Sequence, residues 1–234
     1  MKQTKFSFEV PIKHLKDFED LQDFNFTLSI LYEDERYAAY MKKQLHQGLK
    51  PLWLDNSYNE LLTSEGVDKM ERLAHITQCH KVIAPDDPSW GFEKSLRVYR
   101  ELCRELPYHK VAFVVINESW SKAARLLGDE VTFCYPFRER VELSYDQLYW
   151  SRNCHYLGMN SVEEMTTIKP PSCDTSMPIK LALRGWNLND WKQKGSPHIY
   201  THEDTNFFYQ EMSLAQIMLA RENIIALKRE VNEI

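Results

Sequence analysis

Residues 111–117 read Val-Ala-Phe-Val-Val-Ile-Asn, a run of apolar residues, most of them β-branched or aromatic, that closes on one polar side chain. Residues 82–86 repeat this pattern as Val-Ile-Ala-Pro-Asp. Continuous apolar runs of this length are typical of parallel strands that are covered on both faces, whereas the strands of antiparallel sandwiches alternate apolar with polar residues. The two runs therefore predict a parallel sheet.

Runs of this kind recur along the chain and alternate with segments of helical spacing. The eight runs are residues 6–10, 26–32, 51–55, 82–86, 111–117, 131–135, 155–159 and 168–174. The amphipathic segments are near residues 34–47, 65–79, 89–106, 118–128, 144–152 and 161–167. Eight strand–helix repeats in 234 residues predict a (β/α)8 TIM barrel, with an open parallel sheet as the alternative. Residues 11–25 form an irregular first connection.

Helix start signals support this order. Asp87 before Pro88 is typical of a helix N-terminus, and Ser144 and Ser161 each precede by three residues a Gln or Glu, as in a capping box. After the barrel we expect a short helix at 178–185, a loop rich in Trp and Lys at 186–197, and a long helix from about Asp204. The apolar stripe of that last helix predicts packing against the barrel or a partner subunit, as in a homodimer; its members are Phe207, Leu214, Ile217, Met218, Ile224 and Ile225. We expect one domain over residues 1–234.

Composition excludes several classes of protein. The 29 Lys and Arg against 34 Asp and Glu give a net charge of −5, so any nucleic-acid contact requires a local basic patch. The 7 glycines form no dinucleotide or phosphate-binding loop motif. Five scattered cysteines without a C-x-x-C pair are expected to be free thiols. The polar start MKQTKFSFEV is not a signal peptide, and no apolar run is long enough to cross a membrane, so we expect a cytoplasmic protein.

Polar side chains follow several of the predicted strands directly. These are Asp55 with Asn56 and Ser57, Asp86 with Asp87, Asn117, and Asp174 with Thr175 and Ser176. Each Asp alone could be a helix cap or turn residue, Asp87 above all, but barrel enzymes build their sites from the carboxyl ends of strands. Two or three carboxylates in one site suit a reaction in which one attacks carbon and another exchanges a proton, as in glycosyl transfer.

Five motifs occur in an order that points to a family. They are Leu54-Asp-Asn-Ser-Tyr-Asn-Glu60, Val82-Ile-Ala-Pro-Asp-Asp87, Val115-Ile-Asn117, His155-Tyr-Leu-Gly-Met159 and Cys173-Asp-Thr-Ser-Met-Pro178. In them the sequence resembles the queuine and archaeosine tRNA-guanine transglycosylases and, more closely, their relatives that insert 7-deazaguanines into the DNA of bacteria and phages. The resemblance spans roughly residues 26–185.

The resemblance implies roles for individual residues. Asp174 would be the nucleophile on the sugar C1′ and Asp55 the general acid/base, an order that the residues alone leave open. Asp86 would grip the base, and Asn117 stands where the family commonly has a glutamine that contacts the base edge. The remaining substrate-binding positions would be Asn56, Ser57, Arg138, Arg184 and Gly158, the last either as a close backbone approach to the ligand or as a tight strand end.

Two features of the sequence depart from the family pattern and bear on the class of substrate. The tRNA enzymes hold a structural zinc with clustered cysteines after the barrel, but residues 186–234 contain no cysteine. The eight histidines lack metal-binding spacing and are expected at the surface or in caps, so we expect neither metal nor cofactor. Because the chain is also compact and has no appended RNA-binding domain, we expect DNA or a small nucleotide rather than folded tRNA as the substrate.

Basic and aromatic residues on the loops at the predicted site form a candidate polyanion patch. They are Arg138, Arg140, Arg184, Lys192 and Lys194 with Trp186 and Trp191. Arginine and tryptophan can clamp phosphates and stack a base that has left its helix, although a solvated loop over packed tryptophans is the alternative. Helix residues Arg97, Arg100 and Arg104 are expected to pair with neighbouring glutamates instead.

The expected function is therefore the exchange of guanine in a polynucleotide, with DNA as the preferred substrate, for a 7-deazaguanine. The reaction would pass through a covalent sugar–Asp174 intermediate. The alternatives are an N-glycoside transferase or hydrolase acting on a free nucleoside or nucleotide, and a non-catalytic nucleic-acid-binding accessory subunit.

Overall fold

The chain folds as a (β/α)8 TIM barrel, in agreement with the sequence. The structure is a computed structural model and describes residues 3–48, 50–107, 110–116, 120–128, 130–137, 153–196 and 204–232. These residues include eight parallel strands in one sheet of order β1-β8-β7-β6-β5-β4-β3-β2. The strands are β1 (Lys5–Phe8), β2 (Asn25–Leu28), β3 (Leu52–Asp55), β4 (Lys81–Ile83), β5 (Val111–Val114), β6 (Thr132–Pro136), β7 (Cys154–Leu157) and β8 (Ser172–Thr175).

Helices connect the strands and extend the chain beyond β8. The α-helices are α1 (Glu35–His46), α2 (Tyr58–Leu61), α3 (Val67–Thr77), α4 (Phe92–Glu105), α5 (Trp120–Leu127), α6 (Val162–Ile168), α7 (Met177–Leu183), α8 (Leu188–Gln193) and α9 (Leu214–Asn232). Within the described residues, 3-10 helices cover Ile12–Leu21, Ser29–Glu33 and Asp204–Tyr209. The first of these is the irregular connection expected between β1 and β2, and the predicted helix at 144–152 lies outside the described residues.

Contacts divide the chain into two compact units, Met1–Asp23 with Gly158–Ile234 and Phe24–Leu157. In the second unit, His155 is fully buried between the rings of Phe26 and Trp53, whose centroids lie 5.2 and 4.9 Å from its own. The expectation of surface or capping histidines is wrong for this residue, because its strand position turns the ring into an aromatic core. The prediction of a single domain stays a prediction.

In the first unit, side chains cap the edge of β1. The amide of Gln22 accepts from Phe8 N–H at 2.6 Å and donates to Phe8 C=O at 2.8 Å. Asp23 accepts from Phe6 N–H at 2.8 Å, and its own N–H donates to Phe6 C=O at 2.9 Å. These contacts satisfy main-chain groups of β1 that would otherwise require a neighbouring strand.

The last helix begins later than predicted. Ser213 Oγ accepts from Gln216 N–H at 3.3 Å and Gln216 Oε1 accepts from Ser213 N–H at 2.9 Å, a capping box that starts α9 at Leu214 rather than near Asp204. The predicted stripe is also wrong in part. Ile224 is buried, but Leu214, Met218 and Ile225 are 73%, 56% and 54% exposed, and Phe207 is buried from the 3-10 helix.

Three further boundaries differ from the sequence expectation. The run at 168–174 divides, because Pro170 and Pro171 end α6 and leave Ser172 to start β8. Helix α4 begins at Phe92, not at 89, because the N–H groups of residues 89 and 90 bond to Asp87 in a turn. The expected loop at 186–197 contains helix α8.

Candidate active site at the strand ends

Asp55 closes β3, and the turn that follows it fixes the carboxylate. Ser57 N–H donates to Asp55 Oδ2 at 2.8 Å, which requires Ser57 to adopt a left-handed conformation with φ of +58°. The buried Ser57 Oγ accepts from Ser29 Oγ at 3.0 Å and from Ile30 N–H at 3.2 Å. These bonds hold the turn, so the main chain of Ser57 orients Asp55.

A partly exposed ion-pair network contacts the same turn through Ser29. Ser29 Oγ also lies 3.4 Å from Glu65 Oε1, and Lys69 Nζ binds Glu65 at 2.7 Å. Burial opposes the charge of Lys69, but the hydrogen bonds and charges of Glu65 and Glu33 outweigh it and raise the pKa of Lys69. The lysine therefore remains charged and holds Glu65 against Ser29.

Asn56 links the end of β3 to the residues that follow β4. Its Nδ2 donates to Asp86 Oδ1 at 2.8 Å and to Ala84 C=O at 3.1 Å, and its Oδ1 accepts from Tyr58 N–H at 3.0 Å. Asn56 is 1% and Asp86 4% exposed. The contacts orient the Asn56 amide so that it presents an N–H to the Asp86 carboxylate.

Asp174 is the next-to-last residue of strand β8, and it is 2% exposed. Its Oδ2 accepts from Gly158 N–H at 3.0 Å, and its main-chain carbonyl accepts from Met159 N–H at 2.9 Å. Gly158 has φ of +63°, which directs its N–H at the carboxylate and which residues with a Cβ rarely adopt. The structure therefore shows the tight strand end, and a close approach of Gly158 to a ligand stays a prediction.

The other predicted site residues are less defined. Arg184 follows α7, where its main-chain N–H bonds to Leu181 C=O, and its side chain is exposed. Asn117, Arg138 and Arg140 lie outside the described residues.

Only part of the predicted polyanion patch is free to contact a polyanion. Trp191 is 4% exposed and cannot stack a base, Lys192 is ion-paired with Glu230, and Lys194 lies 4.8 Å from the centroid of the Trp186 ring. The alternative, tryptophan packed beneath solvated residues, is correct for Trp191.

Sequence reasoning missed two aromatic–lysine contacts in the segments that follow β4 and β5. Trp90 and Phe92 follow Asp86 by a few residues, and each ring carries a lysine ammonium, Lys94 Nζ at 4.2 Å and Lys122 Nζ at 4.3 Å from the centroids. The signal was present as Trp90-Gly-Phe92, but its aromatic residues fit the start of an amphipathic helix equally well.

Within the described ranges, no cluster of three or more His, Cys, Asp or Glu side chains is arranged to hold a metal ion. None of the helices in the same ranges combines the length and apolar character that a membrane span requires.

No protein-family profile matches the sequence, and no curated protein is detectably similar to it. Solved structures that resemble the fold include a protein of Aquifex aeolicus VF5, with a TM-score of 0.57, 12% identity and coverage of 99% of this chain and 94% of that one. A mutant tryptophan synthase alpha-subunit from the hyperthermophile Pyrococcus furiosus matches with a TM-score of 0.51 and 12% identity, over 96% of this chain and 99% of that one. At such identities the likeness shows the (β/α)8 fold alone.

Proposed function

We propose that this protein is a base-exchange transglycosylase that replaces guanine in a polynucleotide, preferentially DNA, with a 7-deazaguanine. The observation that carries the proposal is the state of Asp174, a carboxylate buried at the end of β8 with one oxygen bound by Gly158 N–H. Barrel enzymes place their reacting groups at this end of the strands, and an oriented carboxylate is the side chain that captures a cationic sugar carbon.

In the proposed reaction, one oxygen of Asp174 bonds to C1′ of the nucleotide while the bond from C1′ to N9 of guanine breaks. Asp55 in its acid form donates a proton to the departing guanine. The incoming 7-deazaguanine loses its N9 proton to Asp55 and attacks C1′, which releases Asp174. Atoms and charge balance without a cofactor, and Asp55 returns to its starting protonation state.

Asp86 supplies the recognition of the base in this proposal. A carboxylate accepts hydrogen bonds only, and the edge of guanine presents two neighbouring donors, N1–H and the exocyclic amine. The amide of Asn56 holds the carboxylate in one orientation for that contact.

Base exchange is tested with labelled guanine and, in separate reactions, single-stranded DNA, duplex DNA, tRNA and free guanosine nucleotides. We expect incorporation of label into DNA and a denaturation-resistant DNA–protein adduct whose linkage maps to Asp174. The Asp174→Asn variant should lose both, whereas Asp55→Asn should accumulate little product.

Asp87→Asn is the matched control, because Asp87 neighbours Asp86 but forms a turn through Ser89 N–H, a bond that an amide oxygen can replace. Incorporation into nucleotides alone would move the substrate to the free nucleotide. No incorporation into any acceptor by the wild-type protein, or full exchange by a folded Asp174→Asn variant, would contradict the proposal.

A further inference from the structure

The turn after β4 carries Trp90. Ser89 N–H bonds to Asp87 Oδ1 at 2.8 Å and Trp90 N–H to Asp87 C=O at 2.9 Å, so Asp87 anchors the main chain that leads into Trp90. The ring is half-buried, and the exposed Lys94 one turn into α4 places its ammonium 4.2 Å from the ring centroid. This is a cation–π contact within four residues of Asp86.

A second aromatic–lysine contact lies beside the first. Lys122 of α5 places its ammonium 4.3 Å from the centroid of Phe92 and binds Glu93 at 2.6 Å. The Lys122 side chain is 52% and the Glu93 side chain 78% exposed, so water and solutes reach both. Residues of α4 and α5 thus form a second ring–ammonium pair two positions along the chain from Trp90.

The charge continues along α4. Arg97, Arg100 and Arg104 are exposed, and in the part of the chain that the structure describes they make no ion pair, so the expected pairing with glutamates of the same helix is wrong. Although the whole chain carries a net charge of −5, α4 therefore exposes three guanidinium groups that are not ion-paired within the described ranges.

We propose that Trp90, Phe92, Lys94 and Lys122, here called the Trp90 surface, bind an unpaired polynucleotide strand. Aromatic rings stack on bases of any sequence and lysines bind phosphates, a combination typical of sites for single strands. A duplex hides the faces of its bases, so a stacking surface prefers a strand whose bases are free. The inference rests on the proposed function only for the role of the neighbouring Asp86, and binding is measurable without turnover.

The test measures binding of the full chain to fluorescent ten-nucleotide strands of DNA and RNA, and to a DNA duplex of equal length, by fluorescence anisotropy at several salt concentrations. Trp90→Ala and Lys94→Gln should each weaken binding of the strand about 10-fold, and Trp90→Phe should restore most of the loss. Lys94→Gln should also reduce the slope of log affinity against log salt by about 0.7, the value for one phosphate contact on a single strand.

Two controls separate the surface from general electrostatics. Lys180→Gln removes another lysine that lies over an aromatic ring, 5.1 Å from the centroid of Phe207, and should leave binding unchanged. Glu93→Gln frees Lys122 from its carboxylate partner and should strengthen binding about threefold.

Each outcome of this test either supports or overturns the proposal. Preference for a single strand together with these effects supports the proposal, and the tighter of the DNA and RNA strands names the substrate. Equal binding of duplex and strand, wild-type affinity in folded Trp90→Ala and Lys94→Gln, equal loss in Lys180→Gln, or no binding by the wild type would overturn it. Strand binding without base exchange would remove the proposed function and leave this surface standing.

Discussion

At the scale of single residues, the site depends on Gly158, whose left-handed conformation turns one N–H onto Asp174. An alanine in that conformation is disfavoured by about 1 kcal/mol because its Cβ approaches the following carbonyl. Glycine therefore allows, without strain, the conformation that orients a buried carboxylate.

Gly158→Ala should lower the exchange rate at least 10-fold, because relief of the strain moves the N–H away from Asp174. The measurement is kcat beside a thermal melt. Gly128→Ala is the control: Gly128 has φ of +77°, is exposed and has open space at its Cβ position. Both variants should lose similar stability, and equal rates in the two would contradict the role given to Gly158.

Asn56 is the second residue that acts through another side chain, the carboxylate of Asp86. Removing its N–H from the buried Asp86 deletes a hydrogen bond to a charged group, a contact worth about 1.5–3 kcal/mol. Asn56→Ala should therefore reduce kcat/KM for guanine by 10-fold or more, and reduce it less for hypoxanthine, which lacks the exocyclic amine.

Asn56→Asp gives a sharper test of the same contact. It places a second carboxyl about 2.8 Å from Asp86, and two carboxyls at that distance do not both ionise readily, so the pKa of one of them is raised. We expect KM for guanine to rise with pH through the raised pKa in this variant. A pH-independent KM and unchanged selectivity between the two bases would refute the role of Asn56.

At the scale of elements, α9 is joined to the turns before it by one buried amide. Asn223, 1% exposed, accepts from Leu188 N–H at 2.8 Å and donates to the carbonyls of Pro178 at 3.2 Å and Trp186 at 3.1 Å. Main-chain groups of α7, of α8 and of the connection between them therefore depend on a single side chain.

Asn223→Ala should lower the free energy of unfolding by about 3 kcal/mol, since each of three main-chain groups loses a partner at about 1 kcal/mol or more. Ile225→Ala on the same helix is the control, and its loss should stay below about 0.5 kcal/mol because Ile225 is 54% exposed. Urea denaturation measures both, and a larger loss for Ile225→Ala would restore the predicted apolar stripe.

At the scale of the whole molecule, burial of thiols makes stability depend on alkaline pH. Burial raises the pKa of Cys79 to about 11 and that of Cys154 to about 12. Burial also raises the pKa of Tyr32 and Tyr135. Above the ordinary thiol pKa the unfolded chain releases protons that the folded chain retains, so the free energy of unfolding falls as pH rises.

We expect this decline to begin near pH 9, at up to about 1.4 kcal/mol per pH unit for each thiol, and to continue until pH reaches the folded pKa values. Cys154→Ala should make the slope shallower whatever its effect on stability at pH 8. Urea titrations in reducing buffer at pH 8, 9 and 10 measure the slope. An unchanged slope in Cys154→Ala would show that its thiol ionises alike in both states.

Local patterns of the sequence determined the class of fold and the acidic strand ends. Eight apolar runs became eight strands because such runs are stable only where both faces are covered, and Ser161 capped α6 as its spacing predicted. The start of α9 also follows a local pattern, the capping box formed by Ser213 and Gln216.

Tertiary structure alone decided which polar groups meet and which aromatic rings are covered. Asn56 reaches Asp86 across 30 positions of sequence, Gly158 reaches Asp174 across 16, and His155 enters an aromatic core. Trp90 and Trp191 are the same type of residue, yet the packing around them leaves the ring of Trp90 half-buried and that of Trp191 buried. Periodicity reports which face of an element is apolar, whereas a hydrogen bond or a covered ring depends on the distance between elements, which no local pattern encodes.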